Sequence, residues 1–154
     1  MKKSVTFPGI LLVVSLSVIL ACCTPGACLE ETNSFLEATF YSNTTKEILV
    51  PDSVTISGSG RSDKLYDRSA GVKVASLPLN ATTGKCTFVI RINGTDDTLQ
   101  FIYSSYPHFI SKECGYTFYH TLDTFYYSTN TIDYVYRTSN NITTVNEENI
   151  RIYY

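Results

Sequence analysis

The sequence contains no tryptophan, one methionine and two histidines in 154 residues. A hydrolase triad needs a histidine held between an acid and a nucleophile, and only His108 and His120 are available for the role. Neither accompanies a Gly-x-Ser-x-Gly elbow or a His-Glu-x-x-His pattern. Both are read as structural imidazoles bonded to neighbouring backbone, with His108, after Pro107, in an extended segment leading to Cys114. Positive charge is also scarce, with 12 basic residues against 14 acidic ones, and this excludes the basic surface that nucleic acid requires. No long segment after the N-terminus carries a 3.6-residue apolar period, so a helical fold is excluded too. The apolar stretch from Ile10 to Ala21 is shorter than the roughly 20 residues that span a bilayer as a helix.

That stretch, preceded by Lys2 and Lys3, has the layout of an export signal. It closes on Ile19-Leu20-Ala21-Cys22, which resembles the lipobox of bacterial lipoproteins, where the cysteine receives diacylglycerol. Cys22 is the expected lipidation site and Cys23 the alternative. An ordinary cleavable signal that happens to end in cysteines is the competing reading. The expected organisation is a lipoprotein signal peptide at 1–21, a lipidated tether at 22–33 and a single domain at 34–154. Cleavage removes two lysines and leaves the mature chain more acidic.

Export places the chain where disulfides persist. With Cys22 lipidated, Cys23, Cys28, Cys86 and Cys114 remain, and four cysteines allow three complete pairings. Cys28 with Cys114 is preferred because it ties the start of the domain to its later half. Cys86 lies in an apolar run, where a free buried thiol is the common alternative. The cysteine spacings lack the paired pattern of a zinc site, and no metal or other cofactor is expected.

From Ser34 onward, Tyr, Thr, Val, Ile and Phe alternate with Gly- and Asn-rich turns, a pattern of strands. The expected strands are 37–42, 52–57, 72–79, 85–92, 98–103, 115–127, 132–137 and 149–154. Leu99, Phe101 and Tyr103 fall on one face, as do Ile132, Tyr134 and Tyr136, and again Ile150, Ile152 and Tyr154. Seven to eight short strands predict an all-β, antiparallel β-sandwich, in the immunoglobulin-like manner. The charged stretch Arg61 to Gly71 reads as a mobile loop.

Tyr106-Pro107-His108-Phe109-Ile110-Ser111-Lys112-Glu113-Cys114-Gly115 and the ending Glu147-Glu148-Asn149-Ile150-Arg151-Ile152-Tyr153-Tyr154 resemble a family of small lipoproteins from Bacteroidota, in which a His-Phe, Ser, Cys-Gly segment and a Glu-Asn, Ile, Tyr ending recur. The resemblance implies an envelope location and a β-rich fold, and it carries over no catalytic residue.

Several segments are candidate sites. The aromatics Tyr116, Phe118, Tyr119, Phe125, Tyr126, Tyr127, Tyr134, Tyr136, Tyr153 and Tyr154 supply rings and hydroxyls suited to protein or sugar surfaces. Consecutive pairs such as Phe118-Tyr119 put one ring on each face of a strand. Asn93-Gly94-Thr95-Asp96-Asp97 is rich in oxygen ligands, yet a plain hairpin between Ile92 and Thr98 fits better than a calcium loop. Asp52-Ser53-Val54 and Asp97-Thr98-Leu99 resemble the O-glycosylation motif of exported Bacteroidota proteins, which makes Ser53 and Thr98 candidate modification sites. Asn-x-Ser/Thr sequons begin at Asn43, Asn80, Asn93 and Asn141 and are read as turns. Glu30 and Glu31 resemble the acidic signals that send lipoproteins to the surface. The sequence therefore predicts a non-catalytic, lipid-anchored envelope module for a protein or glycan partner. Its competitor is an envelope enzyme acting on glycan through paired carboxylates such as Asp123 and Asp133.

Overall fold

The computed structural model describes residues 26–154, and the expected lipidation sites Cys22 and Cys23 lie outside them. The fold is all-β, and no helix occurs among the described residues. Ten strands form two sheets: β1 (Phe35–Tyr41), β2 (Val54–Gly58), β3 (Lys64–Ser69), β4 (Val74–Pro78), β5 (Lys85–Ile92), β6 (Thr95–Ser111), β7 (Gly115–Tyr127), β8 (Tyr134–Arg137), β9 (Asn141–Ile142) and β10 (Glu148–Tyr153). The smaller sheet runs β4-β1-β10-β8 and the larger β3-β2-β5-β6-β7-β9. This is the sandwich-like fold that alternation predicts, with more strands than expected. One pairing is not antiparallel, because the first strand and the last lie side by side in parallel. The order also departs from the ABED and CFG sheets of an immunoglobulin domain.

Alternating residues make the core. Leu36, Ala38 and Phe40 of β1, Ala75 and Leu77 of β4, and Ile150 and Ile152 of β10 face Val54 and Ile56 of β2, Phe88, Ile90 and Ile92 of β5, and Leu99, Phe101 and Tyr103 of β6. β5 and β7 begin and end at the residues expected, since Gly84, Asn93-Gly94 and Gly115 bound them with positive φ, which glycine adopts without strain. Asn93 and Gly94 both have φ > 0, as a two-residue type I′ hairpin requires, so strand pairing resumes at Thr95 rather than Thr98.

Three expectations are corrected. Arg61 to Gly71 is not a mobile loop, because Lys64–Ser69 forms edge strand β3 against β2. Its charges are those that protect an exposed sheet edge. β6 does not stop at Tyr103 but continues to Ser111 through Pro107. Proline is tolerated there because β5 pairs with β6 only as far as Ile102, leaving one side of the strand open. Finally, Tyr134 and Tyr136 do not share the inward face with Ile132. Val135 is the buried residue of β8, and Tyr136 is exposed.

The phase of β8 shifts because residues 128–132 form a loop built around Asp97. The buried Asp97 carboxylate accepts bonds from Ser128 Oγ (2.6 Å) and Asn130 N (2.8 Å) on one oxygen, and from Thr131 N (2.7 Å) and Ile132 N (3.0 Å) on the other. Burial alone would raise its pKa, but these bonds outweigh burial and hold the carboxyl below its ordinary range.

Candidate functional site

β1 buries Leu36, Ala38 and Phe40 inward, so Glu37, Thr39 and Tyr41 point to the outer face of the small sheet. Glu37 and Thr39 are nonetheless buried there. The chain after β1 turns back alongside its end, with Ile48 bridged to Tyr41 and Leu49 N bonded to Phe40 O, and Ile48 reaches the hollow that Glu37 and Thr39 line. On the parallel neighbour, Glu37 pairs with Glu148 and Ala38 with Ile150, so Asn149 is an extra residue, a β-bulge. The bulge explains how Glu148 comes to share a face with Arg151 although three positions separate them. Asn149 itself is buried and satisfied. Its Oδ1 accepts from Glu37 N (2.9 Å), and its Nδ2 donates to Asn141 O (2.7 Å).

The result is a hollow of about 450 Å³, with hydrogen-bonding groups from Glu37, Thr39, Lys73, Ser76, Asn146 and Glu148 and apolar walls from Ile48 and Val74. Burial raises the pKa of Glu37, partly offset by the bond it accepts from Ser76 Oγ (2.9 Å). Glu148 stands in a different setting, bonded to Arg151 Nε (2.6 Å) and Tyr41 OH (3.1 Å). The Arg151 guanidinium also lies 5.0 Å from the centre of the Tyr41 ring, and its bond to Glu148 raises its pKa further. Beyond Tyr41, Tyr153 and Tyr134 stack at 4.2 Å, and Lys46 Nζ sits over both rings at 5.1 and 4.7 Å. A polar hollow thus adjoins a ladder of rings and cations on one sheet face.

The sequence-predicted residues distribute unevenly around this site. Tyr134 and Tyr153 belong to its ladder, Tyr136 is exposed on the same face opposite Arg151, and Tyr116, Phe118 and Tyr126 are exposed on the larger sheet. Tyr154 packs edge-on against Phe40, as its alternation with Ile150 and Ile152 predicts. Asp123 and Asp133 are exposed and sit on different sheets, Asp123 in β7 and Asp133 just before β8, and neither lines the hollow. Glu37 and Glu148 are the carboxylates the fold gathers, and no sequence motif marks them. Their signal was positional: an acidic residue inside an otherwise apolar strand, and another at a bulge.

The Cys28–Cys114 disulfide is formed, with the Cα atoms 4.8 Å apart. Cys86 is a free, half-buried thiol whose pKa is raised by burial. His120 is buried and bonds through Nδ1 to Ser105 Oγ (2.8 Å), a side chain rather than backbone, and burial lowers its pKa. His108 stacks on Tyr119 at 4.1 Å. The two histidines do not share a site. Thr98 is exposed on β6, and Ser53 is half-buried beside the β5–β6 hairpin, its N–H donating to Asn93 Oδ1. Asp96 pairs with Arg91, whereas Asp97 is committed to its loop. Among the described residues, no three His, Cys, Asp or Glu side chains converge to hold a metal ion. Glu31 folds back on Thr32 and Asn33, and Glu30 is exposed.

Fold and site together define a two-sheet β-protein with a polar hollow on the outer face of its smaller sheet. The chain belongs to the Family of unknown function (DUF6452), which matches residues 53–154. The match takes in Lys73, Ser76, Asn146 and Glu148 of the hollow, but not Glu37. No curated protein and no solved structure matches the chain.

Proposed function

We propose that the chain is a non-catalytic binding module of a Bacteroidota cell envelope, lipid-anchored through Cys22, that takes a glycan into the hollow of its small sheet. The observation that carries this reading is the hollow itself. Its volume falls within the range of ligand sites, and it sets a carboxyl, a carboxylate, an ammonium, two hydroxyls and an amide over a partly apolar floor. A hydroxyl-rich ligand both donates and accepts, and it needs such a mixture. The neighbouring half-buried rings of Tyr41 and Tyr134, held by the buried Tyr153 between them, extend the face that a longer chain of sugars would meet. A lipid on Cys22 explains the export signal and the cysteine at its end. Ser53 and Thr98 remain candidate O-glycosylation sites, Thr98 being the more accessible.

Calorimetric titration with glycan fragments of the bacterial envelope tests the reading. Lys73→Ala and Asn146→Ala are expected to weaken binding about tenfold each, the loss of one good hydrogen bond. Failure of every fragment to bind, or equal binding by wild type and both variants, overturns it.

One observation favours a second reading, an enzyme acting on glycan. Glu37, its pKa raised by burial, and Glu148, bonded to Arg151 and Tyr41, line the same hollow, and glycoside hydrolysis uses a pair of carboxyl groups in one site. Release of reducing ends from the same fragments, abolished by Glu37→Gln, would decide for it.

A further inference from the structure

β6 and β7 form the longest pairing in the molecule, and only its base lies over the core. Along the inward face, Tyr103 and Leu122 are buried and His120 is 3% exposed. The same alternation then continues through Pro107 paired with Phe118, which still shares a hollow with Phe35 of β1 and Pro78 of β4, and on to Phe109 paired with Tyr116. Exposure rises to 46% at Phe118, 50% at Phe109 and 71% at Tyr116. The hairpin end therefore presents aromatic rings where a buried core face would ordinarily stop, and exposed apolar patches of this kind mark contact surfaces.

The disulfide says what the surface meets. Cys28 is bonded to Cys114 in the turn of this hairpin, and the chain from Cys28 to Ser34 is fastened along β7. Thr117 Oγ1 donates to Thr32 O (2.5 Å) and Ser34 Oγ to Phe118 O (2.5 Å). Leu29, directly after the bridge, is 92% exposed and adds an apolar side chain to the same end. In sequence Cys22 precedes Cys28 by six positions, and six residues span at most about 20 Å. Since the bridge adds 4.8 Å between Cα atoms, a lipid on Cys22 keeps the hairpin turn within about 25 Å of the bilayer. Tyrosine rings favour the boundary between headgroups and acyl chains, and phenylalanine and leucine side chains favour the apolar side of it.

We propose that the end of the β6–β7 hairpin, with Leu29, Phe109, Tyr116 and Phe118, inserts into the lipid surface that carries the anchor and so fixes the orientation of the domain. This rests on the lipid-anchor reading. The partner is a phospholipid interface, and the contact is apolar and aromatic, with Lys112 and Glu113 at the turn offsetting each other's charge.

The lack of tryptophan supplies the test. Full-length Tyr116→Trp and, as a control on the small sheet, Tyr136→Trp are expressed with their lipid and reconstituted into phosphatidylcholine vesicles with and without brominated acyl chains. Mass spectrometry of the same samples reports the lipid. The Trp at position 116 is expected to shift its emission to the blue and to lose most of it to the brominated lipid, while the Trp at position 136 is unaffected. Lipid present with both positions unquenched overturns the insertion alone. A blue shift without bromine quenching overturns it in favour of a protein surface. Absence of lipid mass removes the anchor and the insertion together.

Discussion

Asp97 follows directly on Asp96, and the two carboxylates do opposite work. In Asp97→Asn the side chain keeps its shape but has one accepting oxygen for four donors. The best orientation leaves the oxygen with Thr131 N and Ile132 N, 2.7 and 3.0 Å away in the wild type, and turns the amide towards Ser128 and Asn130. The Ser128 hydroxyl can rotate and accept, but the Asn130 N–H then faces another donor in a half-buried place. One orphaned buried donor costs about 1–3 kcal/mol, and the remaining bonds lose their charge assistance, so the expected loss is about 3 kcal/mol. Urea unfolding followed by far-ultraviolet circular dichroism measures it. Because Asp97 has a lowered pKa in the folded state, its stabilisation is fully present above the ordinary carboxylate range and fades as pH falls from that range through the lowered value. The gap between wild type and variant should therefore close in acid, where the protonated aspartic acid also has only one good acceptor. Asp96→Asn, which removes an exposed pair with Arg91, is the control and should fall within experimental scatter. A loss below about 1 kcal/mol for Asp97→Asn, or a gap independent of pH, refutes the argument that four donors need both oxygens.

The Cys28–Cys114 bridge closes a loop with a sequence separation of 86. On loop entropy Cys28→Ser with Cys114→Ser should lower stability by up to about 4.5 kcal/mol in urea, and a loss under about 1 kcal/mol would mean that the unfolded chain is already held near that geometry. Glu37 has its pKa raised by burial from an ordinary 4.5. The folded state therefore holds this proton more tightly than the unfolded state, and stability from this group falls as pH rises from 4.5 through the raised value. Glu37→Gln should gain on the wild type as pH rises above 4.5 in the same urea assay, and an unchanging difference would contradict the assignment.

Much of the fold is legible in the sequence where local and global signals agree. β5 and β7 are bounded by glycine and asparagine at positive φ, and Leu99, Phe101 and Tyr103 alternate without interruption. The readings fail where a tertiary contact outvotes a local signal. Lys64–Ser69 is charged because it lies at an edge, and charge in a row reads as loop. Pro107 reads as a break, and only the early end of β5 makes it harmless. Val135 replaces Tyr134 inside because Asp97, more than thirty residues earlier, holds the loop that sets the phase of β8. The site was less visible than the fold. Glu37 looks like the opening residue of an amphipathic strand, and its burial depends on β4 and β10, which place Ser76 and Glu148 beside it only on folding.

The parallel pairing of β1 with β10 also bears on when the molecule can fold. β10 lies between β1 and β8 in the small sheet, so until the last residues from Glu148 onward are available, β8 has no partner and β1 lacks one neighbour. Ile150 and Ile152 are missing from the core over the same interval, and Glu148 from the hollow. β1 and β10 are 112 positions apart at the Glu37–Asn149 bond, and contacts between such distant segments are slow to form. A chain emerging from a ribosome thus leaves its small sheet open until β10 is free, and that sheet closes late.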